Sequence, residues 1–317
     1  MRVVFLGTGE FAAPALQALV DNGHAVVSAI SQPDRPAGRG RKVRATHVHA
    51  LADKLGIRHI QTANINNLHL ADALGGAEIG VVAAFGQKIG AVVMDALPYG
   101  CINIHGSLLP EYRGAAPFQW AIIDGRTVTG VTVFQLNERW DAGPIWSRRK
   151  LDIGETETAT ELHDRLAALG ADLLIDVLTD IQCGDVQPVE QDESRATRAA
   201  KLTRAHGQID WTAPAFNVAR RINGLWSWPA AACRFSGPSE KDERVLLARA
   251  QVADDSASPA DGVPAGAVLP DGTVQAGRGR VRLLEVKPAG GKLMEFEAFA
   301  RGRRLDASTR LLPIDES

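Results

Sequence analysis

Short apolar runs alternate with helix-like segments through residues 1–190, and this alternation constrains the fold more than any other feature of the sequence. The run Ile79–Phe85 is apolar throughout, as in a parallel strand that is covered on both faces. Strands that alternate with helices are typical of an α/β domain, so we predict a doubly wound, mostly parallel, Rossmann-like sheet. The predicted strands are Val3–Leu6, Ala25–Ile30, Ile79–Phe85, Cys101–Ile104 and Gly130–Gln135.

The sequence changes character after the polar stretch 191–205, which has no strand-like alternation. Beyond it, short strand-like runs are separated by turn signals such as Pro270-Asp271-Gly272, a pattern that favours a small β-barrel. We therefore predict an α/β domain over residues 1–190, a linker over 191–205 and an OB-like β-barrel domain over 206–317. The predicted barrel strands are Ala230–Phe235, Arg244–Val252, Gly266–Leu269, Thr273–Ala276 and Val281–Val286.

The composition excludes several protein classes. The three cysteines are odd in number and far apart, which excludes a disulfide framework and a zinc site and favours a reducing compartment. No run approaches the roughly 18 apolar residues of a membrane span, and the first strand begins at Arg2, which leaves no room for a signal peptide. We therefore expect a cytoplasmic protein without a membrane segment.

One basic run stands out in a chain whose net charge is −2. Five cations fall within ten residues, and two interpretations are open: a solvated loop, or an arm that binds phosphate groups. The cations are Arg35, Arg39, Arg41, Lys42 and Arg44.

The segment Gly7-Thr8-Gly9 follows a strand and precedes a helix, as in a dinucleotide-binding turn, and Ala12 stands at the third glycine position. Asp34 lies near the place of a ribose-binding carboxylate. The alternative is that the glycines only let the first strand turn tightly into its helix. No site typical of a dehydrogenase follows downstream.

Asn103 and His105 give a more specific signal, because residues two apart on a strand point to the same face. Ligands of open α/β sheets bind at the carboxyl ends of the strands, where this pair is expected. An amide and an imidazolium can both donate hydrogen bonds to an oxyanion. The pair therefore predicts an oxyanion-stabilising site.

Asp141 follows the predicted strand Gly130–Gln135 and is our candidate for the carboxylate that orients His105 and moves protons. Spacing alone leaves Glu138 and Asp124 open as competing acids. A turn role for Asp141, just before Ala142-Gly143, is equally open.

The sequence resembles the folate-dependent formyltransferases, and the resemblance covers nearly the whole chain. Asn-Ile-His-Gly-Ser-Leu-Leu-Pro at 103–110 and Arg-Gly-Ala-Ala-Pro at 113–117 carry it for the superfamily as a whole. The features that resemble the tRNA-directed branch are the basic loop 33–42, Gln191-Asp192-Glu193, Trp228-Pro229 and the segment 287–292.

The resemblance implies formyl transfer from 10-formyltetrahydrofolate to the α-amine of methionyl-initiator tRNA, giving N-formylmethionyl-tRNA for translation initiation. By analogy, Asn103 and His105 hold the oxyanion and Asp141 orients His105. No metal is implied, and we expect a monomer. The folate pocket is expected to include Ser107, Leu108, Leu109 and Pro110, and the tRNA contacts Arg35, Arg39, Arg41 and Lys42.

The sequence departs from the resemblance around Asp141 and also in the C-terminal half. Ala142 stands where the family usually has threonine, and Asn137-Glu138-Arg139-Trp140 is bulkier than the usual glycine-containing run. In the C-terminal half, Leu225-Trp226-Ser227 replaces an Asn-Pro ahead of the Trp-Pro, and the loops 237–243 and 253–265 are lengthened. Three rival functions are an amino-sugar-nucleotide formyltransferase, which has no need of the basic loop, an NAD(P) oxidoreductase built on Gly7-Thr8-Gly9, and a non-catalytic RNA-binding protein.

Overall fold

A computed structural model describes residues 1–37, 42–184, 186–237, 242–256, 262–303 and 305–314. By its contacts the chain divides into two compact units. The first comprises Met1–Gly114, Gly130–Leu151 and His163–Arg198, and the second comprises Ala115–Thr129, Asp152–Leu162 and Ala199–Ser317. No helix of the described residues is long and apolar enough to cross a membrane.

Within residues 1–199, the part of the chain that the structure describes contains eleven strands and six α-helices. The strands are β1 Arg2–Gly7, β2 Ala25–Ser31, β3 Arg35–Ala37, β4 Lys42–Arg44, β5 His59–Gln61, β6 Ile79–Ala83, β7 Cys101–His105, β8 Arg113–Gly114, β9 Val128–Gln135, β10 Ile145–Asp152 and β11 Arg198–Ala199. The helices are α1 Ala13–Asp21, α2 His47–Leu55, α3 Leu70–Leu74, α4 Ala91–Met94, α5 Pro117–Ile123 and α6 Ala159–Cys183.

A seven-stranded sheet runs in the order β10-β9-β7-β6-β1-β2-β5. The pairs β2–β5, β1–β2, β1–β6 and β6–β7 are parallel, whereas β7 and β9 are antiparallel. The prediction of an α/β fold with a mostly parallel sheet is confirmed. The strand β10, which the sequence analysis did not predict, alternates buried and more exposed positions and lies at the edge of the sheet.

Close approach of backbone and side chains fixes β7, the strand that carries Asn103 and His105. A Cβ atom at Gly80 of β6 would lie 2.6 Å from Cys101 Sγ. A Cβ atom at Gly170 of α6 would lie 2.7 Å from Ile104 Cγ2. Glycine at these two positions therefore lets a neighbouring strand and a helix pack directly against β7.

The second unit contains an antiparallel sheet that curls into a half-barrel, in the order β14-β15-β13-β12-β17, with β16 paired to β15. The predicted β-rich C-terminal part is confirmed. Its strands are β12 Ala231–Ser236, β13 Glu243–Asp254, β14 Thr273–Gln275, β15 Arg280–Pro288, β16 Met294–Glu295 and β17 Arg310–Leu312, and its helices are α7 Ala215–Leu225 and α8 Phe296–Arg301.

The core of this sheet is aliphatic and aromatic, with Phe235 and Phe299 in edge-to-face contact at 5.1 Å. One predicted strand, Gly266–Leu269, is wrong. Gly266 adopts a φ of +83°, which breaks an extended strand, and Ala267 and Val268 form only isolated bridges.

Candidate active site

Asn103 and His105 occupy the carboxyl end of β7, as the sequence analysis predicted. Asn103 is half-buried, and its amide makes no hydrogen bond within the described part of the chain. His105 is 6% exposed, and its Nε2 lies 2.9 Å from the Tyr112 carbonyl oxygen. Because a carbonyl only accepts, Nε2 carries a proton and Nδ1 is the atom that gains one when the imidazolium forms.

Asp141 lies beside His105. Its Oδ2 is 3.9 Å from His105 Nδ1, which is too long for a hydrogen bond but close enough for charge attraction. The same oxygen accepts a 2.8 Å hydrogen bond from the Gly114 N–H. Of the competing acids, Glu138 is exposed and Asp124 ends α5. The structure thus brings the predicted amide, imidazole and carboxylate together.

Asp141 has an unusual backbone conformation, with a φ of +50° in the left-handed region. Non-glycine residues adopt this region at a cost of roughly 1–2 kcal/mol, aspartate and asparagine more readily than most. Asp141 is 9% exposed, so this conformation is held in a buried place. Surrounding contacts must therefore stabilise it.

A side chain that the sequence analysis placed in a linker supplies these contacts. Gln191 Nε2 donates to the carbonyl oxygens of Asp141 at 2.9 Å and Gly143 at 2.8 Å. Gln191 Oε1 accepts from Arg113 Nη2 at 2.7 Å and Nε at 3.1 Å. The only sequence signal was the resemblance of Gln191-Asp192-Glu193, which carried no role.

Arg113 also forms a two-pronged ion pair with Glu193, with Nη1–Oε2 at 2.9 Å and Nη2–Oε1 at 3.0 Å. Hydrogen bonding from Arg113, assisted by Arg139, holds the pKa of the Glu193 carboxyl below its ordinary value. Arg139 belongs to the run that departs from the family pattern, and next to it Trp140 is 65% exposed. Ala142, at the position of the usual threonine, is buried.

The turn Ser107–Pro110, our candidate for part of the folate pocket, is stabilised by side-chain hydrogen bonds to its backbone. Thr132 Oγ1 donates to the Ser107 carbonyl at 2.7 Å and accepts from the Leu109 N–H at 3.0 Å. Ser107 Oγ donates to the Glu111 carbonyl at 2.6 Å. Leu109 is buried, Pro110 is buried and follows a cis peptide bond, and Leu108 is half-buried. Leu108 thus offers the most accessible side chain of the four.

Among the predicted tRNA contacts, Arg35 is exposed and its guanidinium bonds the Gln32 side chain. Arg39 and Arg41 lie outside the described residues. Lys42 begins β4, which pairs with β3 in a short antiparallel ladder. The first and last residues of the basic run therefore lie on two paired strands.

The contacts of Asp34 and Gly7 bear on the dinucleotide-binding alternative. Asp34 Oδ1 accepts from the Thr46 N–H at 3.0 Å, and Oδ2 lies 3.0 Å from His49 Nδ1. Burial raises the pKa of Asp34, but hydrogen bonds from Gln61, His49 and Thr46 bring it below its ordinary value. A Cβ at Gly7 would lie 2.8 Å from Ala12 Cβ, so close packing explains this glycine.

Among the described residues, no group of three or more His, Cys, Asp or Glu side chains could hold a metal ion. The site offers hydrogen-bond donors and one carboxylate. An amide and an imidazolium can donate hydrogen bonds to an oxyanion, and a carboxylate can accept a proton.

Comparison with known proteins agrees with this chemistry. Residues 1–178 match the formyl transferase family, and residues 201–304 match the formyl transferase C-terminal domain. The methionyl-tRNA formyltransferase of Solibacter usitatus is 40% identical over 315 residues, covering 98% of each chain. That of Heliobacterium modesticaldum is 41% identical over 317 residues, covering 98% of this chain and 99% of its own. This chain belongs to the methionyl-tRNA formyltransferase family.

Two solved structures share the fold. An N-formyltransferase from Helicobacter canadensis, in complex with folinic acid and dTDP-3-aminofucose, matches with a TM-score of 0.65 and 15% identity, over 89% of this chain and 98% of its own. HypX from Aquifex aeolicus, in complex with tetrahydrofolic acid, matches with a TM-score of 0.61 and 18% identity. The match covers 96% of this chain and 48% of the HypX chain. At these identities the similarity shows the fold alone.

Proposed function

We propose that this member of the methionyl-tRNA formyltransferase family transfers the formyl group of 10-formyltetrahydrofolate to the α-amine of methionyl-initiator tRNA. The observation that carries the proposal is the pair Asn103 and His105 at the carboxyl end of β7, with His105 Nδ1 3.9 Å from Asp141 Oδ2. Within the described residues the Asn103 amide makes no hydrogen bond. Relatives with this activity align with the chain over nearly its full length at about 40% identity, which supports the same acceptor.

The reaction begins with attack of the amine nitrogen on the formyl carbon. The free α-amine has a pKa of roughly 7.7–8, so a large share of it is nucleophilic near neutral pH. As the new C–N bond forms, the formyl oxygen becomes an oxyanion. Asn103 donates an amide N–H to this oxygen, and His105 stabilises it in its imidazolium form.

Asp141 then removes the proton that the attacking amine must lose, directly or through one water. The bond between the formyl carbon and N10 of the folate breaks, and N10 takes up a proton. The products are N-formylmethionyl-tRNA and tetrahydrofolate. No covalent enzyme intermediate is needed, because the amine itself is the nucleophile.

Residues 1–190 form the catalytic domain in this proposal, the segment 191–205 connects it to the second domain, and residues 206–317 assist tRNA binding. Arg35, Arg39, Arg41 and Lys42 contact the acceptor end of the tRNA through phosphates and exposed bases. Ser107, Leu108, Leu109 and Pro110 shape the folate pocket. The enzyme acts as a monomer.

The alternative acceptor to be tested is an amino-sugar nucleotide, because an N-formyltransferase solved with dTDP-3-aminofucose shares this fold. The test is an assay with 10-formyltetrahydrofolate and either methionine-charged initiator tRNA or an amino-sugar nucleotide. We expect rapid formylation of the tRNA alone. Transfer to the sugar nucleotide without transfer to tRNA would reject the proposed acceptor.

A further inference from the structure

The hydrogen bonds around Asp141 form a closed ring that joins three chain segments. Arg113 donates to the side-chain oxygen Oε1 of Gln191, and Gln191 Nε2 donates to the backbone carbonyl oxygen of Asp141. The N–H of Gly114, the residue after Arg113, donates to the Asp141 carboxylate. Gln191 is 8% exposed. Both ends of Asp141, its backbone and its carboxylate, are thus tied to the same ring.

Glutamine is the side chain whose chemistry fits this position. Its amide nitrogen has two N–H groups, and here each meets a carbonyl oxygen, those of Asp141 and Gly143. Its oxygen simultaneously accepts from the guanidinium of Arg113. A glutamate has a similar shape and would keep the acceptor oxygen, but it would lose both N–H donors. A methionine has a similar length but would lose both the donors and the acceptor.

The ring of hydrogen bonds explains how Asp141 keeps its left-handed backbone conformation. A residue with φ of +50° leaves this conformation readily unless neighbouring groups hold it. The two carbonyls that Gln191 clamps flank Ala142, so the clamp fixes the backbone on which the carboxylate stands. The carboxylate therefore stays 3.9 Å from His105 Nδ1.

We propose that Gln191 is a positioning residue for formyl transfer, which holds Asp141 in the geometry needed for proton removal and for alignment with His105. The inference rests on the proposed function, because it assigns Asp141 its role there. Arg113 takes part by fixing the amide orientation of Gln191, and Glu193 takes part by fixing Arg113.

The first test compares Gln191→Glu and Gln191→Met with the control Gln187→Ala. Gln187 is exposed, and its side chain makes no hydrogen bond within the described residues. We expect turnover of both Gln191 variants to fall about 10- to 100-fold, since small misplacements of catalytic groups have effects of this order. The KM values for folate and tRNA should change by less than about threefold, and the control should match the wild type.

The second test is a double-mutant cycle with Asp141→Asn, a substitution that tolerates the left-handed backbone. If Gln191 acts through Asp141, adding Gln191→Met to Asp141→Asn should lower single-turnover rates by less than about twofold. A purely structural role predicts the full additional loss, and that result would overturn the inference.

Thermal melting of each variant completes the design. If both Gln191 variants unfold below the assay temperature, the residue serves stability and the positioning role is rejected. Wild-type turnover in Gln191→Glu would also reject the positioning role. Failure of the proposed function is distinguishable, because wild-type protein would then formylate no tRNA and the cycle would have no reference rate.

Discussion

The two halves of the candidate active site are held in different ways. Asn103 and His105 lie on β7, where the sheet ladder fixes the backbone opposite Phe134 and Thr132, and among the described residues the Asn103 amide has no hydrogen-bond partner. Asp141 lies on a loop in a left-handed conformation and needs a long-range clamp by Gln191. A strand residue can thus leave its side-chain donor available for a ligand, because the sheet holds its backbone. A loop residue depends instead on contacts from distant segments.

The largest effect is expected on the strand side. Replacing His105 by Ala removes the imidazole between the Tyr112 carbonyl and Asp141. We expect turnover to fall by about 10²–10³, the usual effect of one lost oxyanion donor. Single-turnover kinetics measures this, and a loss below about tenfold would remove His105 from the chemistry.

On the loop side, Gly143→Ala should disturb the backbone that carries Asp141. A Cβ at this position would lie 1.8 Å from the Gln135 carbonyl oxygen, so the loop must move. We expect a cost of about 1–3 kcal/mol in the free energy of unfolding, together with reduced turnover. Chemical denaturation checks the first quantity.

Gly9→Ala is the matched control, because its Cβ would meet its nearest neighbour at 3.7 Å, an ordinary contact. Its free energy of unfolding should stay within about 0.5 kcal/mol of the wild type. Equal losses in the two variants would show that the loop is not specially sensitive.

The turn after β7 offers a third comparison through Thr132. Thr132→Val removes the hydroxyl that bonds the Ser107 carbonyl and the Leu109 N–H, leaving buried backbone groups unpaired. We expect unfolding free energy to fall by about 1–3 kcal/mol, whereas Thr132→Ser keeps the hydroxyl and should cost less. If Thr132→Val costs no more than Thr132→Ser, which loses only the methyl, the two hydrogen bonds of the hydroxyl do not stabilise the turn as expected.

The smallest effect is expected outside the site, at Glu161. Although burial raises it, hydrogen bonds from Arg249 and Thr158 lower the pKa of Glu161 from 4.5 to about 2. Because the pKa of Glu161 is lower in the folded state, its ionised carboxyl stabilises the folded protein at pH values above the unfolded-state pKa. This stabilisation is lost as the pH falls from about 4.5 towards 2. Because Glu161 is largely exposed, Glu161→Gln should cost less than about 1 kcal/mol at pH 7.

The same substitution should flatten the decline of stability in that pH window. Denaturation at several pH values measures the slope. An unchanged slope in Glu161→Gln would assign the acid sensitivity to other carboxylates.

The sequence predicted the strand side of the candidate site better than the loop side. Hydrophobic alternation placed β7, and the period of a strand placed Asn103 and His105 on one face, because both are local properties. The mostly parallel character of the sheet follows from strand–helix alternation, whereas the order of its strands was not predicted. Asp141 was a candidate only through its position after a strand and through a family resemblance.

Gln191 could not be given a role in this way. Its partners Asp141 and Arg113 lie about 50 and 80 positions away along the chain, and its neighbours are polar, so local pattern made the segment a linker. The interruption at Gly266 was equally hidden, since a positive φ leaves no trace in an apolar run. Long-range hydrogen bonds and backbone conformation thus set the limit of the sequence-based analysis.

The most direct test of the central claim measures formyl transfer and folate binding in the same Asn103→Ala protein. The account predicts that single-turnover transfer from 10-formyltetrahydrofolate to methionyl-initiator tRNA falls by about 10²–10³, the effect of one lost oxyanion donor. Folate and tRNA affinities should stay near those of the wild type and of the exposed control Asn67→Ala. Transfer within about threefold of the wild type would contradict the assignment of Asn103 and with it the proposed site.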